Sequence, residues 1–415
     1  MSNRINKLAV TWTPKESARE ETSQANRKSL HIASAADPRT HVLFMIDELC
    51  EMGGAERVLL KMIRLLPRDT FRCSLVTFKV REGIEELKNI GCPLWVIPLG
   101  RTYDWNAFRA ARHIRSFIQQ QRVAIVHTFF ETSDLWGALV ARLSGCPVLV
   151  SSRRDLGILR STKHRMAYKL FRRLYDKVLT VSPQVRDFCI QTDGLDPQRV
   201  QTLFNGLEMS PIDAAPSREM MRWKHAMRDD LPIIATVANI RRVKGIDVLV
   251  RAASLVCSRY PQALFLVIGE PSEQDYCREL ENAVHSLGLA GNFRFMGSRE
   301  DIFSLLRMSD VFCLPSRSEG FSNALLEAMA CRLPSVATDV GGNREAVEDG
   351  QTGFIVASED WQEMGRRILV LLDDRELATT MGRRAEAVVR QKFTAEAMMK
   401  DLIEIYNGLL QAKGR

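Results

Sequence analysis

The chain has 415 residues, of which 46% are hydrophobic and 26% are charged. This length exceeds what one hydrophobic core usually supports, and this composition excludes a chain that is disordered throughout. The formal net charge of +8 divides into +3 over residues 1–40, +8 over residues 41–210 and −3 over residues 211–415. Two domains are therefore expected, and the basic character belongs to the front half.

The sequence contains no long apolar segment and no regular cysteine pattern. No window approaches eighteen consecutive apolar residues, and residues 1–40 lack the apolar stretch of a secretory signal. The nine cysteines are scattered, and none belongs to a C-x-x-C pair. We therefore expect a cytoplasmic chain with reduced thiols and no zinc site.

The front half alternates short apolar runs with helical patterns. Residues 1–40, rich in Ser, Thr, Lys, Arg and Glu, are predicted to form a flexible polar tail. From His41 the runs read "HVLFMID", "CSLVTF", "LWVIPL", "VAIVH", "CPVLVSS" and "KVLTVS". Continuous Val, Ile and Leu runs between helices are typical of parallel strands covered on both faces. Residues 41–210 are thus predicted to form a doubly wound, Rossmann-like domain.

The pattern lapses over residues 211–230, which contain two prolines and no strand, and this segment is predicted to be a linker. Alternation then restarts in "PIIATVAN", "ALFLVIGE", "NFRFMG", "DVFCLP" and "LPSVAT", which predicts a second α/β domain over residues 231–394. Residues 395–415 form an amphipathic helical pattern. Two open parallel sheets present their carboxyl strand ends to ligands, so the loops after strands are where chemistry is expected.

The first such loop is "EMGGAERVLL", which follows the first strand. Gly53 and Gly54 open a helix whose free backbone amides suit a phosphate, and glycine lets an anion approach the backbone closely. A tight strand-to-helix turn is the alternative. The loop is not the G-x-G-x-x-G of a dinucleotide fold, which argues against nicotinamide chemistry.

The second loop is "VANIRRVKGIDVLV", which follows the first strand of the second domain. Arg241, Arg242 and Lys244 are crowded before a helix that begins near Gly245. Such a set can neutralise a diphosphate, and a leaving diphosphate needs this most as its bond breaks. Solvated surface charge is the alternative interpretation.

The third loop, in "SRSEGFSNALLEAMA", carries two acids. Glu319 lies in the loop beside Gly320, and Glu327 lies about one turn deeper, on the following helix. A carboxylate in a mostly apolar helix usually pairs with a buried base or accepts hydrogen bonds from a ligand, such as the hydroxyls of a ribose. The amides that are free to donate to an anion in the first turn belong to Phe321, Ser322 and Asn323.

Together these motifs resemble the retaining nucleotide-sugar glycosyltransferases of family 4, which have the two-domain GT-B fold. The resemblance covers roughly residues 41–412 and is strongest at the E-x7-E pattern, followed by the glycine-containing loop in "PSVATDVGGNREAV". The matches "GGAER", "VKG" and "FNG" support it. It implies two Rossmann-like domains that face a central cleft, with the C-terminal helix crossing back to the front domain.

The resemblance also implies roles for individual residues. The glycine pair approaches the sugar and diphosphate, Lys244 and an arginine neutralise the diphosphate, Glu319 lies near the donor sugar and Glu327 binds the ribose. The base lies near Gly297 and Ser298. The further residues that the resemblance assigns to the site are Asn205, which belongs to "FNG", and His127, which lies at a strand end.

Two positions depart from the family pattern. Asn239 stands where many members have the arginine, so Arg241 or Arg242 must supply the second cation. Phe129 stands where many members have a further histidine, which puts the role of His127 in doubt. The family does not generally require a metal, and no Asp-x-Asp lies in a suitable loop, so no cofactor is expected.

The basic segment Arg153–Arg173 holds eight Lys or Arg and one acid, mixed with apolar residues. This composition is typical of either a surface that binds an anionic membrane or a solvated helix face. No nucleic-acid-binding module accompanies it.

We therefore expect a retaining transferase that moves a sugar from a nucleoside diphosphate sugar, with UDP favoured and GDP possible, to a membrane-associated saccharide or lipid. A non-catalytic nucleotide-sugar-binding protein on the same scaffold is the alternative, motivated by the departures at Asn239 and Phe129. An epimerase or phosphorylase on a similar fold has less support, since no lysine context typical of a pyridoxal site is found.

Overall fold

The computed structural model describes residues 9–11, 37–81, 83–157 and 160–414. Within these ranges every strand pairing is parallel, and the strands form one sheet of eight and one of six. Helices cover both faces of each sheet, which explains why the strands are continuous apolar runs rather than alternating ones. The prediction of two Rossmann-like domains is confirmed.

The eight-stranded sheet belongs to the front domain, and its spatial order is β1-β4-β3-β2-β5-β6-β7-β8. The strands are β1 (Ala9–Thr11), β2 (Thr40–Leu49), β3 (Phe71–Val80), β4 (Leu94–Val96), β5 (Ile125–Phe129), β6 (Val148–Arg153), β7 (Lys177–Thr180) and β8 (Val200–Thr202). Strand β1 lies within the segment predicted to be a flexible tail and pairs with β4 at the sheet edge. Most of that predicted tail lies outside the described residues.

The helices of the front domain pack on the two faces of this sheet. They are α1 (Gly54–Leu65), α2 (Trp105–Gln120), α3 (Ala138–Leu143), α4 (Thr162–Phe171) and α5 (Pro183–Asp193), with short 3-10 helices at Glu85–Asn89 and Pro197–Arg199 and a π-helical turn at Ser133–Gly137. Helix α1 buries an apolar stripe against one face, and α2, α3 and α5 pack on the opposite face.

The segment predicted to be a linker holds two short helices, α6 (Ser210–Asp213) and α7 (Arg218–Lys224). The buried guanidinium of Arg222 fixes α7 to the back domain, since its Nε donates to the carbonyl of Met308 at 3.0 Å and its Nη2 to Asp310 at 2.8 Å. The segment therefore contains no strand but packs on the back domain.

The back domain contains the six-stranded sheet, in the order β11-β10-β9-β12-β13-β14. Its strands are β9 (Ile233–Val237), β10 (Leu264–Ile268), β11 (Phe293–Gly297), β12 (Val311–Leu314), β13 (Ser335–Thr338) and β14 (Gly353–Val356). Its helices are α8 (Ile246–Arg259), α9 (Gln274–Ser286), α10 (Ile302–Met308), α11 (Asn323–Ala330), α12 (Asn343–Ala346), α13 (Trp361–Asp373) and α14 (Arg375–Lys392), with a 3-10 turn at Arg242–Lys244.

The C-terminal helix α15 (Ala395–Ala412) returns to the front domain, as the resemblance implied. Its apolar face joins the core beneath β2 and α1, where the Tyr406 ring lies 6.2 Å from the Phe71 ring. Backbone hydrogen bonds of 2.8 Å between Leu207 and the residues around Thr394 fix the crossing point. The helix therefore ties the end of the back domain to the front core.

Candidate active site

The carboxyl ends of the two sheets come together, and loops from both domains meet in the cleft between them. Gly320, after β12, lies so close to Arg154, after β6, that a Cβ at position 320 would be 2.0 Å from the Arg154 carbonyl oxygen. At the start of α1, a Cβ on Gly54 would be 3.4 Å from Nδ2 of Asn323. At Gly320 the backbone of one domain thus approaches that of the other where a side chain would interfere, whereas at Gly54 a Cβ would be in ordinary contact.

Glu319 lies at the centre of this cleft and is held by two hydrogen bonds. Lys244 Nζ and Ser316 Oγ each donate to its Oε1 at 2.7 Å. Lys244 follows β9 and Glu319 follows β12, and these strands are neighbours, so the sheet itself brings the two charges together. Among the described residues nothing donates to Oε2 of Glu319, although only 9% of the residue is exposed. That oxygen is free for a substrate hydroxyl.

The two adjacent arginines of the β9 loop point in different directions. Arg241 Nη2 lies 2.6 Å from Oε2 of Glu51, so its side chain crosses the cleft to the front domain. Arg242 pairs with Glu279 at 2.8 Å and packs over the Tyr276 ring, away from the cleft. The structure therefore places the side chain of Arg241, rather than that of Arg242, across the cleft.

The glycine turn forms the front wall of the cleft. Gly53 precedes α1 and Gly54 is its first residue. The carboxylate of Glu56 fills the space beside the turn, since its Oε2 lies 2.8 Å from where a Cβ on Gly53 would be. Burial raises the pKa of Glu56, and Arg154 acts in the opposite direction. A side chain at position 53 would require the Glu56 carboxylate to move.

Asn205 connects the two walls. The residue is buried, and its Oδ1 accepts a hydrogen bond from the Arg154 guanidinium. Its Nδ2 donates to Oδ1 of Asn323 at 2.7 Å and to the carbonyl of Phe321 at 3.3 Å, both in the back domain. Asn205 therefore lies in the cleft, where it hydrogen-bonds the loop that carries Glu319.

The side chains of Phe321 and Ser322 have structural partners. The Phe321 ring lies 5.2 Å from the Phe204 ring and 5.3 Å from the Phe393 ring, at the domain junction. Ser322 caps α11, because its Oγ accepts from the Leu325 amide at 3.3 Å. What these residues can offer a ligand is their backbone amides.

Glu327 lies on α11 and faces the cations of α1. No described residue donates a hydrogen bond to its carboxylate. Burial raises its pKa to about 7, and the charges of Arg57 and Lys61 act in the opposite direction. An acid in this setting is available to accept hydrogen bonds from a ligand.

Gly297 and Ser298 lie at the outer end of the same cleft edge. Gly297 ends β11, two strands from β9, and its carbonyl accepts from the Gly269 amide at 2.9 Å. Gly297 has a φ of +64°, and Ser298 is exposed. Lys244 follows β9, and one strand, β10, lies between β9 and β11. Gly297 and Ser298 therefore lie on the same sheet edge as Lys244, where the resemblance implies the nucleotide base.

Two family models match consecutive parts of the chain, and six residues separate the two matches. Residues 52–210 match the model of Glycosyltransferase Family 4, and residues 217–388 match the model described as Glycosyl transferases group 1. The chain belongs to the family 4 glycosyltransferases of the GT-B fold. The cleft described above is thus the cleft between the two domains of a glycosyltransferase.

Individual relatives of this glycosyltransferase are distant. It is 29% identical over 212 residues to the N-acetyl-alpha-D-glucosaminyl L-malate synthase of Bacillus anthracis, a match that spans 51% of this chain and 54% of that relative. It is 22% identical to the UDP-Gal:alpha-D-GlcNAc-diphosphoundecaprenol alpha-1,3-galactosyltransferase of Escherichia coli, across 79% of this chain and 86% of that relative. The crystal structure of Anabaena Alr3699/HepE in complex with UDP has the same fold, with a TM-score of 0.80, 22% identity and coverage of 89% of this chain and 100% of that one.

His127 does not line the cleft of this glycosyltransferase. Its side chain is fully buried, with Nδ1 2.7 Å from the hydroxyl of Tyr406 on α15 and Nε2 2.8 Å from Oγ of Ser152. Burial lowers its pKa to about 3, and the charge of Arg154 adds to this effect. A neutral histidine with both nitrogens engaged is a packing residue, so His127 is not part of the catalytic set proposed below.

The predicted basic surface Arg153–Arg173 divides into two parts. Arg153 is buried against Asp134, with 3.1 Å between Nη1 and Oδ2, and its Cζ lies 3.9 Å from the Tyr168 ring centroid. Arg160 is buried as well and pairs with Asp193 at 3.2 Å. These two arginines belong to the core, which corrects the prediction of a continuous surface. The exposed cations of this segment lie on α4 and directly after it.

Two residues of the cleft, Glu51 and Arg154, were not predicted from the sequence as site residues, and Asn323 was predicted for its backbone amide but not for its side-chain contact with Asn205. A signal was available, because Glu51 lies two residues before Gly53 and Arg154 directly follows a parallel strand. Their contacts, however, lie between domains and have no local pattern. Within the described ranges, no group of three or more His, Cys, Asp or Glu side chains is placed to hold a metal ion.

Proposed function

We propose that this glycosyltransferase is a retaining enzyme that moves a sugar from a nucleoside diphosphate sugar to a membrane-associated saccharide or lipid acceptor, in the synthesis of a surface polysaccharide or glycolipid. The carrying observation is the pair of Lys244 and Glu319, which lies beside Arg241 and the first turn of α11 in a cleft walled by both domains. Cations and free amides suit a diphosphate, and a carboxylate with one free oxygen suits a sugar hydroxyl.

A UDP-sugar is the favoured donor. UDP is bound in the Anabaena structure, UDP-glucose is bound in another crystal structure of that protein, and UDP-Gal is named in the E. coli relative. Gly297 and Ser298 would lie near the base, Glu327 would accept hydrogen bonds from the ribose, and Gly53 and Gly54 would approach the sugar and diphosphate.

In the proposed reaction the acceptor hydroxyl attacks the anomeric carbon on the face from which the diphosphate leaves. The bond from that carbon to the β-phosphate oxygen breaks, the bond to the acceptor oxygen forms, and the acceptor proton passes to the leaving phosphate. Lys244 and Arg241 stabilise the negative charge that develops on the diphosphate, so no protein nucleophile and no metal is required. Glu319 orients the sugar, and its second oxygen is free to do so.

A nucleotide screen tests the function. Thermal unfolding is measured with UDP, GDP, ADP and their sugars, and a ligand at 100 times its dissociation constant stabilises by roughly 2.7 kcal/mol. Mass spectrometry with excess chelator then measures hydrolysis of the selected donor and transfer to an acceptor panel. Lack of binding by every nucleotide would contradict the proposal. Tight binding with neither hydrolysis nor transfer would instead favour the non-catalytic binding protein.

Replacement of Glu327 by glutamine is expected to change how stability depends on pH. Because the pKa of Glu327 is raised to about 7 in the fold, the folded state binds a proton that the unfolded state releases above pH 4.5. The stabilisation of the folded state by this bound proton is fully present below pH 4.5 and is lost as pH rises through about 7. The melting temperature of Glu327→Gln should therefore exceed that of the wild type at pH 8 by more than at pH 5.

The matched control for this experiment is Glu376→Gln, since Glu376 is an exposed acid in the first turn of α14. The control should shift equally at both pH values. A constant difference between Glu327→Gln and the wild type from pH 5 to pH 8 would show that Glu327 does not titrate with a raised pKa. UDP affinity measured on the same samples should fall in Glu327→Gln, as expected for a ribose ligand.

We further propose that the front domain docks on an anionic membrane from the cytoplasm. None of the helices in the described part of the chain combines the length and apolar content that a membrane crossing needs. Helix α4, however, exposes Met166 and Leu170, which are 68% and 74% exposed, among lysines and arginines. Exposed apolar residues between cations suit a headgroup surface.

Charge reversal at Arg172 and Arg173 tests this docking. Substitution of both by glutamate is expected to reduce the affinity for anionic vesicles, measured by sedimentation, at least about tenfold, because each basic residue near such a surface contributes about 1 kcal/mol. The control replaces Arg383 and Arg384, an adjacent exposed pair on α14 of the back domain, in the same way. Equal vesicle binding by the two variants would contradict the assignment of this surface.

A further inference from the structure

Arg154 lies on the front wall of the cleft and contacts both domains. It follows β6 directly, and its carbonyl oxygen lies against Gly320, next to Glu319. Its guanidinium donates through Nη2 to Oδ1 of Asn205, which in turn donates to the loop that begins α11. Arg154 is therefore beside the reacting end of the proposed donor.

The charge of Arg154 has no paired carboxylate. The two neighbouring arginines, Arg153 and Arg160, each form an ion pair with a buried aspartate. No carboxylate of the described residues lies within 4.0 Å of the Arg154 guanidinium. Burial lowers its pKa to about 10, with Glu56 acting against this, so the side chain stays protonated at neutral pH. A partly buried cation without a partner is costly unless a ligand supplies one.

The residues around Arg154 indicate which ligand group would pair with its charge. Glu56 lies between Arg154 and the glycine turn, while Gly320 connects Arg154 to the loop of Glu319 and Lys244. The guanidinium thus lies near Glu56 and Asn205, on the front-domain side of the loop that carries Glu319. A guanidinium has five donors in a planar arrangement that suits phosphate oxygens.

We propose that Arg154 is a further catalytic residue, which contacts the β-phosphate of the donor from the front domain. This inference rests on the proposed function. As the bond from the anomeric carbon to the phosphate oxygen breaks, charge develops on that phosphate, and the acceptor proton passes to it. Arg154 stabilises this charge only while the two domains are together, because Asn205 and Gly320 hold it against the back domain. Efficient departure of the diphosphate therefore depends on domain closure.

Titration with UDP and UMP tests the assignment, because the two ligands differ only by the β-phosphate. Isothermal titration of Arg154→Gln should show UDP affinity reduced at least about tenfold, the value of one charged hydrogen bond, with UMP affinity within about twofold of the wild type. Arg154→Lys, which keeps the charge but not the fork, should recover part of the loss. The control is Arg186→Gln, which changes a partly exposed arginine of α5 that pairs with Asp187.

Unchanged UDP affinity in folded Arg154→Gln would overturn the proposal, even if transfer to an acceptor were lost, since Arg154 would then serve the acceptor. Equal losses for UDP and UMP would also overturn it. If Arg154→Gln does not fold, the same two titrations are made with Arg154→Lys. The proposal then requires that this variant lose more affinity for UDP than for UMP. Wild-type protein that binds neither nucleotide would be a different result, which contradicts the UDP-sugar function itself.

Discussion

Substitution of Lys244 by alanine is expected to reduce turnover by about 10²–10³-fold, the effect of removing one preorganised group that stabilises developing charge. Its ammonium lies 2.7 Å from Glu319, at the junction of the β9 and β12 loops. The variant loses one cation of the proposed diphosphate site and leaves the buried carboxylate of Glu319 with Ser316 as its one remaining donor among the described residues. Steady-state kinetics with the selected donor measure the loss.

The neighbouring arginine provides a matched control for this substitution. Arg242 lies in the same loop but pairs with Glu279 outside the cleft, so Arg242→Ala should retain turnover within a few-fold of the wild type. Melting temperatures of both variants separate catalytic loss from unfolding, because an unpaired buried Glu319 also destabilises the fold. Near-normal turnover of folded Lys244→Ala would refute its role at the diphosphate.

Substitution of Gly320 by alanine is expected to reduce kcat/KM by about 10²-fold, a cost typical of a misplacement of about 1 Å in an active site. A Cβ there would lie 2.0 Å from the carbonyl oxygen of Arg154, and backbone cannot yield as a flexible side chain can. The two domains must then separate or shift, which moves Glu319 relative to the front wall. Kinetics report the loss, and small-angle scattering reports the separation.

Gly291→Ala is the control, because a Cβ at position 291 meets nothing within 4 Å. Gly320 does not have a positive φ, so alanine is compatible with the local backbone and the back domain should keep its melting temperature. The loss of kcat/KM is thus expected to come from the disturbed contact between the two domains and not from local unfolding. Wild-type kinetics in Gly320→Ala would show that the close contact with Arg154 is not needed in the catalytic state.

The core strands could be predicted because a parallel strand covered on both faces is a continuous apolar run. The runs from "HVLFMID" to "LPSVAT" all correspond to strands. The short strands β8 and β14 were not predicted, since Val200–Thr202 and Gly353–Val356 are three and four residues long and partly polar or glycine-containing. Their position at sheet edges supplies the pairing that the local sequence does not indicate.

The sequence could also place the loops of the site, because carboxyl strand ends in such sheets meet at one edge. It could not decide between Arg241 and Arg242, whose directions depend on Glu51 in one domain and Glu279 on another helix. Nor could it assign His127, whose partner Tyr406 lies 279 residues away. Both outcomes rest on contacts between segments that are distant in the chain.

For this glycosyltransferase, the sequence by itself determined the two-domain architecture, the family and the loops that carry Glu319, Lys244 and the glycine turn. These features depend on local composition and spacing. The tertiary structure decided which charges are available to a ligand. Arg153 is a core residue because Asp134 lies opposite it, while Arg154, one position later, is paired with none of the carboxylates in the described part of the chain. Availability depends on burial and on long-range partners, and packing alone creates both.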